Sequence, residues 1–337
     1  EFYVLGEILR GSGVAAAGAL ATATMGVMVT GLPDAWRRLC LAGGSGMWVV
    51  AALAGPVYAS GVSASWGWRW ALVVYLPVLI AARAVMAGQI HDLRLDEETD
   101  HDETVPWLPA LAMAAGVALI GALRASSPWF WPGVGVGAGL VLWSCSCVLP
   151  DGTLRLVPGR RAGIATLLWV CAFFLTLDYL VAPSAHDVLG LTPTQTGWAL
   201  TAGGIGWSAV AIACGARPAR EPQAYRRRTM LAAVFFVVGT MLMAVTVLEK
   251  ADWWGLPVGY GVASIGMGLT HLDTMNRIVT DPAEPDGITH AQAATAVTIA
   301  GAAGGAVLGT ATTAFVAPAA AGVEPSRLWP TLVLLAV

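Results

Sequence analysis

From Thr229 to Leu248 the chain runs for twenty residues without a charged side chain, "TMLAAVFFVVGTMLMAVTVL". As a helix this stretch would measure about 30 Å, the thickness of the hydrocarbon core of a bilayer. Comparable runs lie near 6–31, 39–62, 69–89, 107–124, 129–148, 163–183, 195–215, 255–276 and 292–317, and a further one begins near 328. A soluble domain of 337 residues could not bury so much apolar surface. The chain is 57% hydrophobic and 12% charged, against about 25% charged in ordinary soluble domains. Lipid is therefore the expected solvent for most side chains, and the expected fold class is an all-α polytopic membrane protein of ten to eleven transmembrane helices. The runs are too long for barrel strands and do not alternate.

The loops between runs fall alternately on two sides. With "GLPDAWRRL" placed in the cytosol, the cytosolic set carries Arg37, Arg38, Arg94, Arg155, Arg160, Arg161, Arg217, Arg220, Arg226, Arg227, Arg228 and Arg277. The outer set carries only Arg69, Arg124, Lys250 and Arg327. This asymmetry fixes the expected orientation, because basic residues are retained on the cytosolic side. Two cytosolic loops differ in character. Residues 91–105 hold Asp92, Asp96, Glu97, Glu98, Asp100, Asp102 and Glu103 and read as a solvated acidic linker. His91 and His101 beside them match no metal-ligand spacing. "RPAREPQAYRRRT" reads as a basic turn that sets topology and meets lipid headgroups. A net charge of −3 without a basic face argues against nucleic acid. Lys250 is the sole lysine among 18 basic residues, a bias that fits a GC-rich bacterial coding sequence. Cys40, Cys145, Cys147, Cys171 and Cys214 read as small buried thiols. No metal site and no cofactor are expected.

The run at 39–62 contains a Gly-Pro pair, which in a membrane helix bends the rod and needs neighbours to satisfy the freed carbonyl. Around it Ala42, Ala51, Gly55, Pro56, Ala59 and Ser60 form a small-residue pattern. This pattern resembles the antiporter signature G-x8-G-x3-G-P-x2-G-G of the major facilitator superfamily, with Gly55-Pro56 matching outright. "SWGWRWALVVYLPV" is similar to the opening of the next span in drug efflux members. "GEILRGSGVAAAGA" resembles the fourth-span pattern through Gly6, Gly11, Gly13 and Ala15, with Glu7 standing at the family's Arg position and Arg10 at its Gln position. "LGLTPTQTGWALTAGG" is similar to the turn that opens a C-terminal span. Arg226, Arg227 and Arg228 match a loop motif whose Asp is absent here.

The resemblance covers nearly the whole chain and implies a fourteen-span drug:proton antiporter whose first three spans are missing upstream. It implies residues 1–90 as the remainder of an N-terminal half, 91–105 as the cytosolic linker, 106–150 as an extra central helix pair, and 151–337 as a C-terminal six-helix half. Gly55, Pro56 and the small residues beside them would seal one end of a central cavity.

Ionisable groups inside spans are functional candidates, because they are costly there. Asp178 in "FFLTLDYLVAP" is the deepest carboxylate of the C-terminal half. It either carries a proton or bonds a Thr or Tyr in a helix contact. Glu7 and Arg10, one turn apart, form either a structural or a proton-coupled lock. Arg83 is placed to snorkel, and His271 and Asp273 to make local helix-end hydrogen bonds. Trp169, Trp198 and Trp207 are candidates to line a cavity for flat apolar substrates, or else to pack or face lipid. The function that the resemblance implies is proton-coupled export of amphiphilic small molecules across a bacterial cell membrane, by alternating access. The alternative is a non-transporting membrane scaffold or subunit that keeps the fold, favoured by the altered motifs. A membrane enzyme is disfavoured, because Asp187 and Asp252 stand isolated in short outer loops.

Overall fold

The computed structural model describes residues 106–219, 221–280, 286–317 and 323–336, and residues 50–91 in part. Glu7, Arg10, Ala42, Pro56 and Ser60, and the acidic segment 92–105, lie outside the described residues. Every regular element among the described residues is helical. A short turn α1 (Trp68–Ala71) and α2 (Leu76–His91) precede α3 (Trp107–Ala122) and α4 (Phe130–Val148). Then follow α5 (Arg160–Pro183), α6 (Pro193–Ala216), α7 (Pro222–Glu249), α8 (Gly255–Val279), α9 (His290–Val316) and α10 (Pro325–Ala336). Five helical segments among the described residues are long and apolar enough to cross a membrane: α4, α5 with its extension to Val188, α6, α7 and Gln292–Val316 of α9.

Local chemistry sets the helix ends. Thr192 caps α6 by accepting from the Gln195 N–H, while Gln195 returns a bond to the Thr192 N–H, and Pro193 occupies the first helical position. Thr289 and Gln292 repeat the device at α9. Both follow from a Thr-x-x-Gln spacing, which satisfies two orphan donors at once. The "LTPTQ" turn is thus a capping box. At the other end of α7, Lys250 adopts the left-handed conformation (φ 47°) that closes the helix.

α8 lies at the centre of the bundle, packed on α5, α6 and α7. It is not among the segments apolar enough to span by composition, and its position explains this. Its neighbours, not lipid, surround it, so it tolerates buried Ser264, Thr270, Asp273 and Thr274. The close packing needs glycine. A Cβ on Gly239 of α7 would stand 2.3 Å from the Ala263 nitrogen and 2.6 Å from the Gly259 oxygen of α8. One on Gly206 of α6 would stand 2.6 Å from the Gly261 oxygen. Small residues at such positions let helix backbones approach.

The remaining pairings join helices distant in sequence. α5 packs on α9, α6 on α8, α7 on α10, and α5 on α8. α7 also packs on α8, so α8 meets three of the helices that precede it. α5 and α8 run in opposite senses, since the α5 start and the α8 end lie at the same end of the bundle. The α3–α4 hairpin packs outside this unit against α9.

The same end collects Arg160, Arg161, Arg217, Arg226, Arg227, Arg228 and Arg277, while Lys250 and Arg327 lie at the other. It is called the basic end below.

Candidate functional site

Asp178 lies on the seam between α5 and α8. The Tyr260 hydroxyl of α8 donates to its Oδ1 at 2.6 Å. Asp178 is half-buried, and Tyr260 is buried at 2% exposure. Aromatic rings hold the phenol in place. Phe174, one turn before Asp178 on α5, stacks on Tyr260 with centroids 5.7 Å apart. Phe174 also meets Trp207 of α6 edge-on at 5.4 Å, and Trp207 meets His271 of α8 at 5.3 Å. Gly203 of α6 leaves the space that the Tyr260 ring fills, since a Cβ there would come within 2.1 Å of the ring. Three helices thus position one carboxylate and one hydroxyl inside the hydrophobic span. Both functional alternatives for Asp178 remain compatible with this geometry, because a carboxylate bonded to Tyr can also exchange a proton.

Beyond Asp178, α5 changes character. Pro183 ends the regular helix, and Ser184–Val188 widens into a π turn. In that turn Asp187 Oδ1 lies 2.8 Å from His186 Nδ1, and Oδ2 accepts from the Val323 N–H at 3.1 Å. Asp187 is therefore a tie between the end of α5 and the start of α10, not the isolated carboxylate that its short loop suggests. Such π turns recur at functional sites.

The basic end carries two arginine clasps. Arg160, 7% exposed, forks onto Asp286, its Nε donating to Oδ2 at 2.8 Å and Nη2 to Oδ1. The same Nη2 donates to the Ile288 carbonyl at 2.7 Å. Arg161 donates to the Asp151 and Asp286 carbonyls. The Arg160 hydrogen bond holds the Asp286 carboxyl down at about 2, helped by the Ile288 N–H and the charges of Arg160 and Arg161. In the second clasp Arg228 Nη1 donates to Asp273 Oδ2 at 2.5 Å, and Nη2 donates to the Arg217 carbonyl. Asp273 is 4% exposed. Arg277 donates to the Ala219 carbonyl at 2.7 Å and lies over the Tyr225 ring at 4.4 Å. Asp273 therefore bonds across elements rather than at its own helix end. The Arg228–Asp273 pair is invisible in a sequence in which the loop motif lacks its Asp.

The other candidates are dispersed. Trp207 lies inside the α5–α6–α8 seam, whereas Trp169 and Trp198 are 66% and 57% exposed. Gly55 is half-buried and Ala51 and Ala59 are exposed, with no described atom within 4 Å of a Cβ built on Gly55. A cavity of about 540 Å³ lies apart from Asp178, lined by Cys145, Ser146, Leu149 and the 150–155 turn. Among the described residues no group of three His, Cys, Asp or Glu side chains is placed to hold a metal ion. No family model matches the chain, and no curated protein matches it.

Proposed function

We propose that this chain is a secondary transporter that exports amphiphilic small molecules in exchange for protons. The observation that carries the reading is Asp178, a carboxylate held inside a membrane helix and bonded to Tyr260 on the neighbouring helix. A charge there is costly, so its retention favours a working role. Two features support the reading further. α5 and α8, the two helices joined by this bond, run in opposite senses and pack directly on one another, so a change at Asp178 acts on a helix–helix seam. A π turn, a feature that recurs at functional sites, interrupts the same helix about two turns beyond Asp178.

In the proposed cycle, a proton from outside neutralises Asp178 and weakens its pull on the Tyr260 hydroxyl. The balance between two packings of α5 on α8 then shifts, because protonation has different free energies in the two. An apolar substrate would meet the aromatic wall formed by Phe174 and Trp207.

The test uses the purified chain in liposomes with an imposed pH gradient, reading movement of a fluorescent amphiphilic dye. Gradient-driven dye movement is expected. Asp178→Asn should abolish it at normal protein yield, and Tyr260→Phe should slow it about tenfold, the worth of one hydrogen bond to a charged group. Dye movement by Asp178→Asn at the unaltered rate would refute the proton role. Absence of any gradient-driven movement by the unaltered chain, across a panel of dyes, would leave the scaffold reading.

A further inference from the structure

The arginines of the basic end divide into two groups. Arg160, Arg161, Arg228 and Arg277 are each taken up by carboxylates or carbonyls of the protein. Arg217, Arg226 and Arg227 are exposed. Among the described residues, nothing accepts a hydrogen bond from their guanidinium groups. Arg228 reaches the Arg217 carbonyl, which ties the residue that follows α6 to the second turn of α7.

The start of α7 favours an anion beside Arg226 and Arg227. Arg226 and Arg227 stand in the second turn of α7, near the positive end of the helix dipole, and the first turn has no acidic residue. Glu221, the residue before the helix, makes no side-chain cap. Asp273 is already engaged by Arg228.

The face that follows is apolar. Met230 lies one helical turn beyond Arg226 and Leu231 one turn beyond Arg227, and Val234 lies a further turn along both rows. These three are 54%, 48% and 56% exposed, and the residues in register with them on α7 stay exposed as far as Leu248. Two adjacent exposed cations of α7 thus lead directly into a stripe long enough for an acyl chain. Soluble phosphate would use the first part only, and an apolar peptide the second only.

We propose that Arg217, Arg226 and Arg227, with Met230, Leu231 and Val234, form a binding site for one anionic glycerophospholipid of the leaflet at the basic end. The phosphate and headgroup lie among the arginines, and an acyl chain lies along α7. The site rests on the membrane reading of the chain and is independent of whether the chain transports anything.

The test reads thermal unfolding of the detergent-purified chain titrated with dioctanoyl phosphatidylglycerol, dioctanoyl phosphatidylcholine or inorganic phosphate. Phosphatidylglycerol should raise the midpoint saturably, with an effect that weakens as salt rises. Phosphatidylcholine and phosphate should do little. The double change Arg226→Gln and Arg227→Gln should weaken the phosphatidylglycerol response about tenfold, while Arg124→Gln at the opposite end leaves it unaltered. Equal responses to the two lipids, or to phosphate and phosphatidylglycerol, would overturn the proposal. So would a double variant that responds like the unaltered chain. Another overturning result is a double variant already destabilised without lipid, with the unaltered chain indifferent to phosphatidylglycerol. That outcome would mean that a carboxylate-rich segment of the chain itself, such as 92–105, covers the patch. The lipid preference of the unaltered chain needs no variant and decides the matter even where a variant folds poorly.

Discussion

Replacing Asp286 by Asn isolates the electrostatic part of the Arg160 clasp. The Asp286 carboxyl titrates at about 2 in the folded chain, against 3.8 unperturbed. At about 1.4 kcal/mol per pH unit, the difference has a ceiling near 2.5 kcal/mol. The side chain is 20% exposed, and solvent screening leaves about 1 kcal/mol of it. The sign follows from linkage. A carboxyl whose pKa falls on folding contributes fully above its unfolded value and loses the contribution as pH falls through its folded one. The unaltered chain should therefore lose this increment between about pH 5 and about pH 2, and the Asn variant should have none to lose. At pH 7 the variant should be less stable by about 1–2 kcal/mol. That is less than the roughly 3–5 kcal/mol of an orphaned buried charge, because Asn can still accept one bond and the Ile288 carbonyl keeps another. Thermal unfolding of both proteins in detergent, measured from pH 7 down to pH 3, should show a gap of about 2–6 °C that narrows in acid. A gap that is absent at pH 7, or that persists unchanged at pH 3, would refute this account of the clasp. Other carboxylates titrate in the same range, but they do so in both proteins and cancel in the difference.

Gly239→Ala should destabilise the chain by about 1–3 kcal/mol, because its methyl would press on α8 backbone atoms that cannot rotate away. Gly301→Ala on α9 meets nothing within 4 Å and should raise stability by up to about 1 kcal/mol through helix propensity. The two unfolding midpoints should move in opposite directions, and a fall for both would show that packing near Gly301 is tighter than described. Thr192→Ala removes the cap of α6 and should cost about 1 kcal/mol, with Thr192→Ser restoring most of it. The same unfolding measurement checks that pair.

Helix existence was legible in this sequence because apolar run length is a direct image of bilayer thickness, and the runs at 129–148, 163–183, 195–215 and 229–248 return as α4 to α7. Which helix lies inside was not legible. The run at 255–276 looks like any other, yet α8 is the central one, and the only local hint is its dilution by Ser, Thr, His and Asp. Long-range polar pairs were equally hidden. Arg160 and Asp286 are far apart in sequence, and each reads alone as an ordinary loop charge. For Asp178 the sequence supplied depth and a choice between a proton site and a Thr or Tyr bond. The structure supplies the Tyr but does not exclude the proton, because a protonated carboxyl can still accept from the phenol and only the charge that strengthens the bond is lost. Protonation therefore alters the same hydrogen bond that joins α5 to α8. A carboxylate that served packing alone would work as well if replaced by an uncharged acceptor of the same shape. The structural and the transport roles of Asp178 thus part at Asn, which preserves the acceptor and removes the acid.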